Sequence, residues 1–441
     1  MATIQQKQLF VWNEIENLGD LERLILVLNY LPDEKLVSKL EELRENGRDK
    51  YPIRPVWNSI IAGVVFQHVS IESLRRELKR NAQLRQVCGF DILSSDKAIP
   101  TSWAYSRFLK NLIKNQELII QMFRELVNEL KKELPDLGKI IAFDGKAIHS
   151  YSSGKKKKDV LRIHDRRSDN DADWGVKEYK GKRADGSMWK KVKSWFGYRI
   201  HILVDAVYEL PLAFEITKAS KNEGKVVDKL FEQLDKDHPD IVETCEYGTG
   251  DKGYDSEERI KSLWDNYKIK PVIDIRNTWQ DIDKTRPIIH LWDVVYNYKG
   301  DVFCVCPLSG KQRKMAYGGF EKDRGCLKYL CPAKHYGYEC DNKGLCKVGK
   351  QIRIHIDENR RIFPPIARSS YKWKSVYKKR TSVERVNSRL DVSFGFERHF
   401  IRGLGKMKLR CGIALCVMLA MALGRIRENQ KELMRSLVKT A

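Results

Sequence analysis

Apolar residues recur three and four positions apart through most of the first 135 residues, and that period predicts helices. Leu21, Leu24 and Leu28, then Leu36, Leu40 and Leu43, lie on helical faces with Pro32 between them, which predicts a helical hairpin over 18–46. The same period runs over 56–69, 70–81, 101–112 and 116–133, broken at Gly89-Phe90-Asp91. It then shortens: Ile140 to Phe143 is an apolar run closed by Asp144-Gly145, the mark of a buried strand that carries a carboxylate to its carboxyl end. No apolar period survives over 150–193, which is expected to be a polar, mobile loop. Segments 196–207 and 210–217 read as a strand hairpin, 224–234 as a helix, and 241–249 as a strand stopping at Gly250-Asp251-Lys252-Gly253-Tyr254-Asp255. A helix over 256–267 and a strand over 270–275 complete the block.

This order predicts an α/β fold, a mixed sheet flanked by helices. Four segments follow: an all-helical N-terminal domain (1–135), the first part of a core (136–275), a β-rich insertion (276–370) and the C-terminal helices of the core (371–441). The insertion is expected from Trp279, Trp292, Tyr296, Tyr298, Phe303 and Tyr317, which alternate with polar residues and glycines. Late in the chain, helical spacing would put Tyr377, Arg380, Glu384, Asn387 and Asp391 on one polar face. The apolar run Cys411 to Leu423 is too short to span a bilayer and reads as a buried helix.

Charge changes the picture. The 441 residues carry a formal net charge of +23, an excess that calls for a polyanionic partner, nucleic acid rather than membrane. It is concentrated late: residues 371–410 hold twelve Lys or Arg against three Asp or Glu, whereas residues 1–50 hold seven against ten. With such a partner, the short helices around Trp103, Tyr105, Arg107 and Phe108 suit a helix-turn-helix reader of duplex DNA, or else a plain bundle packed on the core. Lys155 to Lys158 and Arg166-Arg167 suit a phosphate backbone, although such runs are also ordinary solvated surface. The chain opens without a basic segment followed by an apolar core, so no secretion signal is expected. Ten cysteines then read as thiols or metal ligands rather than disulfides. Cys304, Cys306, Cys326, Cys331, Cys340 and Cys346 cluster in the insertion as candidate ligands of a structural Zn²⁺, with buried free thiols the alternative.

Asp144 and Asp251 share one local setting, an apolar run followed by acid and glycine, and Glu384 is a third acid within the basic stretch. Each alone is unremarkable, since Asp-Gly serves as a turn and Arg380 can simply pair with Glu384. Together they suit phosphodiester cleavage, where carboxylates hold two Mg²⁺ ions about 3.5 to 4 Å apart.

The segments Phe143-Asp144-Gly145-Lys146, Gly250 to Asp255 and Tyr377 to Glu384 resemble the three signatures of the DDE transposases of bacterial insertion sequences. That resemblance implies a ribonuclease H-like catalytic core with Asp144, Asp251 and Glu384 as the catalytic, metal-holding triad. The cofactor it implies is Mg²⁺, with Mn²⁺ able to substitute. Tyr377, Arg380 and Glu384 match the branch with a β-rich insertion, in which a lysine follows at the position of Asp391. Lys146, Lys252, Lys378, Lys379 and Arg389 join Tyr377 and Arg380 as expected DNA contacts, Arg389 or Lys406 standing in for that lysine. Trp279 and Trp292 are candidates to receive a flipped base, with core packing the alternative. The implied activity is metal-dependent nicking at transposon ends and strand transfer into target DNA by a homodimer. A resolvase-like nuclease without strand transfer and a non-catalytic DNA-binding descendant are the alternatives. The resemblance also implies a cytoplasmic, nucleoid-associated protein of a prokaryote.

Overall fold

The computed structural model describes residues 19–44, 50–92, 95–154, 168–183, 185–279, 284–340, 346 and 348–437. The runs at Lys155 to Lys158 and Arg166-Arg167 lie outside the described residues.

Among the described residues, seven helices precede the first strand: α1 (Leu21–Tyr30), α2 (Glu34–Glu42), α3 (Ile53–Val65), α4 (Ile71–Arg80), α5 (Ala82–Cys88), α6 (Ser102–Lys114) and α7 (Gln116–Glu133). Their starts follow the local chemistry. Ser70, Asn81 and Thr101 each accept a hydrogen bond from the first turn of the helix they precede. Gly89 ends α5 in the left-handed conformation. These helices do not build a core of their own. Leu24, Trp57, Leu78, Phe123 and Leu126 belong to the same buried cluster as Phe143, Ile202, Phe231 and the C-terminal helix. On α6, Tyr105 and Phe108 point into that core, while Trp103 is exposed.

The central sheet contains β1 (Ile140–His149), β2 (Asp173–Lys182), β3 (Met188–Asp205), β4 (Pro211–Lys218), β5 (Tyr247–Gly250) and β6 (Lys270–Ile273). β1 runs antiparallel to β3 and parallel to β5; β5 runs parallel to β6, and β4 runs antiparallel to β3 on its other edge. Helices α8 (Glu223–Asp237), α9 (Pro239–Thr244) and α10 (Glu257–Asp265) join these strands.

Three segments depart from the sequence reading. β1 is not closed by Asp144-Gly145 but continues to His149, because β3 pairs with it along that whole length. Residues 241–244 finish a short helix, and only Tyr247–Gly250 is strand; an apolar run this short fits either state until its neighbours decide. The segment expected to be a loop contains β2 and the first half of β3, ten residues paired in unbroken register from Asp173↔Gly197 to Lys182↔Met188. Gly197 is the point where this ribbon leaves the sheet, since a Cβ there would lie 2.2 Å from the Ile148 carbonyl oxygen. Strands exposed on both faces leave no alternation of burial to read.

The insertion holds two antiparallel sheets, β7 (Arg286–Ile288) to β10 (Gln312–Lys314) with β8 (Leu291–Tyr296) and β9 (Val302–Val305), and β11 (Ala316–Glu321), β12 (Cys326–Leu330) and β13 (Gln351–His355), with a short helix, α11 (Pro332–Tyr336), between β12 and β13. It has its own core around Val294, Leu327, Tyr329, Ile354 and Phe363, joined to the main body through Trp264 and Ile275. Asp255, fully buried, secures the junction: Arg361 donates to it at 2.6 Å. Trp279 lies under Arg286, 4.4 Å from ring centre to guanidinium, and edge-on to Tyr296. The Trp292 side chain is outside the described residues.

The chain closes with α12 (Tyr371–Lys378), α13 (Thr381–Phe394) and α14 (Leu404–Arg427). The polar face expected from 377 to 391 is divided between α12 and α13, and Asn387 is buried. α14 is longer than its apolar run. By length and composition it could cross a membrane, but its most apolar stretch is 83% buried inside the fold, packed by α7, α1 and β4.

Candidate active site

β1 and β5 are adjacent parallel strands in the register Phe143↔Gly250. The next residue on each is therefore an acid, and neighbouring strands lie about 4.8 Å apart. Asp251 follows the carboxyl end of β5, beside Asp144, which lies within β1 opposite Ile202 of β3. The approach depends on Gly250, because a Cβ there would sit 2.2 Å from the Phe143 ring. That ring is fully buried and braced edge-on by Tyr254 and Phe231, at 5.1 and 5.8 Å. Asp251 also accepts a hydrogen bond from the Gly253 N–H at 2.7 Å, which fixes the turn that follows.

Burial pushes the Asp144 carboxyl up to about 6; the charges of Asp251 and Glu223 push the same way, and Lys177 and the Gly145 N–H act against them. Glu223, at the start of α8, is a carboxylate of the site that sequence reasoning missed. Its partner is the buried Arg199 of β3, whose guanidinium also lies 4.8 Å from the Trp195 ring centre. His201, directly across from Gly145 on β3, is held neutral, its pKa lowered to about 3 by burial and by Arg199. The Tyr254 hydroxyl is buried without a partner, and burial with the nearby Asp144, Glu223 and Asp251 raises its pKa. No spacing rule connects these residues. Only the register of β1 with β3 and the docking of α8 bring them together.

Glu384 enters from α13, which packs against β1 and β3. Arg380 donates to it at 2.7 Å, and the Glu384 side chain is 51% exposed. Arg380 is also hydrogen-bonded to Tyr377 and lies within electrostatic reach of Asp144. Tyr377 is in turn stacked on Trp373 at 4.7 Å. The third acid is thus one ion pair removed from the aspartates. Among the described residues no three His, Cys, Asp or Glu side chains are grouped tightly enough to hold a metal ion.

Several expected basic contacts are engaged within the chain. Lys146 donates to Asp391 at 2.5 Å, so the acid in the expected lysine position neutralises the first motif's lysine. Arg389 is turned away from the aspartates: it binds the carboxylate and carbonyl oxygen of the buried Glu209, which also holds Arg385. That is a structural role, because a buried carboxylate requires paired charge. Lys252 lies 3.7 Å from Asp274, and Lys378 is exposed at the end of α12.

Of the six insertion cysteines, Cys304, Cys306, Cys331, Cys340 and Cys346 line one cavity of about 30 Å³. Cys326 stands apart, with Arg324 and Glu321 as neighbours. The five thiols surround the cavity without converging into a metal-holding group.

The transposase DDE domain family matches residues 136–420, from just before β1 into α14. The chain belongs to this family. Among solved structures, this transposase aligns with a piggyBac transposase synaptic complex with hairpin DNA, at a TM-score of 0.40 and 11% identity over 96% of this chain and 80% of that one. A likeness that distant carries no residue across. No curated protein sequence matches.

Proposed function

We propose that this transposase cleaves DNA at the ends of its own mobile element by metal-assisted phosphodiester hydrolysis and joins the freed 3′ end to target DNA. The observation that carries the reading is the pair of aspartates on neighbouring parallel strands, one of them with its carboxyl raised by burial and by the other's charge. The donor set fits a divalent cation: hard carboxylate oxygens crowded on one another gain most from a shared positive ion. Asp144 and Asp251 would hold it, and Glu384 would join on release from Arg380. When bound, a pair of magnesium ions supplies Lewis acidity at the attacking and leaving oxygens. The chain's own residues do the rest. Arg380 shields Glu384 from the aspartates, Tyr377 fixes Arg380, and buried Phe143 and Tyr254 exclude water behind the acids.

The strand order β4-β3-β1-β5-β6 supports a ribonuclease H-like core, built from 136–275 and 371–441 around the 276–370 insertion, with the helices of 1–135 beside it. We further propose double-stranded DNA as partner, a homodimer in the assembly that holds two ends, and residence with the nucleoid of a prokaryote bearing the element as an insertion sequence. The five thiols around one cavity are those a structural zinc would draw on. The test is incubation of the purified chain with DNA carrying the sequences that flank its gene, with and without Mg²⁺. Magnesium-dependent nicks at those ends, lost in Asp251→Asn, are expected; metal-independent nicks or none would refute the reading.

A further inference from the structure

The β2–β3 ribbon projects beyond the sheet beside Asp144, and its two faces differ. Register puts Lys177 opposite Lys193 and Gly175 opposite Trp195; further out, Gly181 is opposite Trp189, and all share one face with Lys191. On that face the two indoles lie flat over cross-strand glycines: a Cβ on Gly175 would meet Trp195 at 2.3 Å, and one on Gly181 would meet Trp189 at 2.5 Å. Lysines occupy the positions between them. The opposite face carries exposed Val176, Val192 and Met188, with Lys190 tied to Glu178 at 2.8 Å. Over 173–193 the ribbon holds seven Lys or Arg against three Asp or Glu, a net +4.

The lysine and tryptophan face continues, by register, onto the face of β1 and β3 that carries Gly145, His201 and Arg199, with Asp144 on the reverse side of β1. Trp195 stacks on Arg199, Arg199 pairs with Glu223, and Lys177 bears electrostatically on Asp144. From Arg199 to Trp189 is ten residues of strand, and the effect of Lys177 on Asp144 shows that the ribbon bends back toward the site rather than running straight. A two-stranded ribbon has the width to enter a major groove.

We propose that this ribbon is a DNA-holding arm: Lys177, Lys191 and Lys193 bind backbone phosphates of the duplex flanking the bond cut at Asp144, and the Trp189 ring supports that duplex at the tip. The inference rests on reading the chain as a DNA-cleaving transposase. Positive charge spaced along an extended strand follows a phosphate backbone without reading its sequence. Trp189, already laid over Gly181, loses little freedom on contact.

The test compares the full-length chain with a variant carrying Lys177→Gln, Lys191→Gln and Lys193→Gln, and with a second variant carrying Arg at all three positions. Affinity for a duplex bearing the flanking end sequence is measured by fluorescence anisotropy across a salt series. Each phosphate contact contributes about 0.9 to the slope of log K against log salt, so the Gln variant should lose about 2.7 from the slope while the Arg variant keeps it. An unchanged slope in the Gln variant would overturn the arm and leave the transposase reading standing. A wild-type chain that binds no DNA would overturn both. Lys191 and Lys193 are exposed and Lys177 is half-buried outside the core, so unfolding temperature serves as the check on folding.

Discussion

Replacing Asp144 by Asn should make the metal-free chain more stable, and by an amount that depends on pH. The carboxyl is raised from 3.8 to about 6 in the fold, which means that ionising it costs more folded than unfolded. The difference is about 2.2 pH units, and at 1.36 kcal/mol per unit the folded state bears about 3 kcal/mol at most. Asp144 is only half-buried, so solvent reduces that figure. The sign follows from the direction of the shift. The cost is absent below the unfolded pKa near 4, grows between 4 and 6, and is complete above 6. Denaturant unfolding of wild type and Asp144→Asn at pH 4.0 and pH 8.0 (chosen on either side of that window) measures it. The variant should gain on the order of 1–3 kcal/mol at pH 8 and almost nothing at pH 4. Added Mg²⁺ should then stabilise the wild type, by about 2.7 kcal/mol at a hundredfold excess over its dissociation constant, and the variant far less. Equal stabilities of the two proteins at pH 8 without metal, or a difference that does not change with pH, would refute the account of Asp144 as a carboxylate raised by burial and by its acidic neighbours.

Gly250→Ala should destabilise the chain by about 1–3 kcal/mol, because the Phe143 ring it would strike is held on two sides and cannot retreat. It should also abolish cleavage by displacing Asp251; a variant of wild-type stability would show that the ring moves after all. The five thiols do not converge, so protein purified without chelator should carry no stoichiometric zinc by elemental analysis; about one zinc per chain, retained in Cys326→Ser and lost in Cys331→Ser, would show that they close on a metal. Zinc-free wild type would leave the five as free thiols, one buried and four half-buried.

The strand that carries Asp144 was legible in the sequence because four apolar residues, Ile140 to Phe143, precede the acid, although β1 runs on past it to His149. What the sequence could not convey was company. Glu223, Arg199 and His201 lie in three unremarkable contexts, and they meet only because β3 pairs with β1 in one register and α8 lands at its end. Arg389 shows the reverse error. It lies among basic residues along the chain, yet its partner is Glu209, 180 positions earlier, so local charge suggested a surface role for a side chain that is structural. The ribbon was read as a loop for a related reason. Hydrophobic periodicity reports which residues are hidden, and on β2 and the outer half of β3 few are.

α14 has a bearing on how the molecule can be taken apart. It lies as an axle between helices α1 to α7 and the central sheet, and each side supplies part of its apolar jacket. A fragment ending at Glu133 would keep helices whose inner flank has lost its cover, and one starting at Asp136 would bare the axle itself. Neither half should be soluble alone, so a recognition function in the N-terminal helices would have to be exercised in fixed orientation to the acids rather than as a detachable reader on a tether.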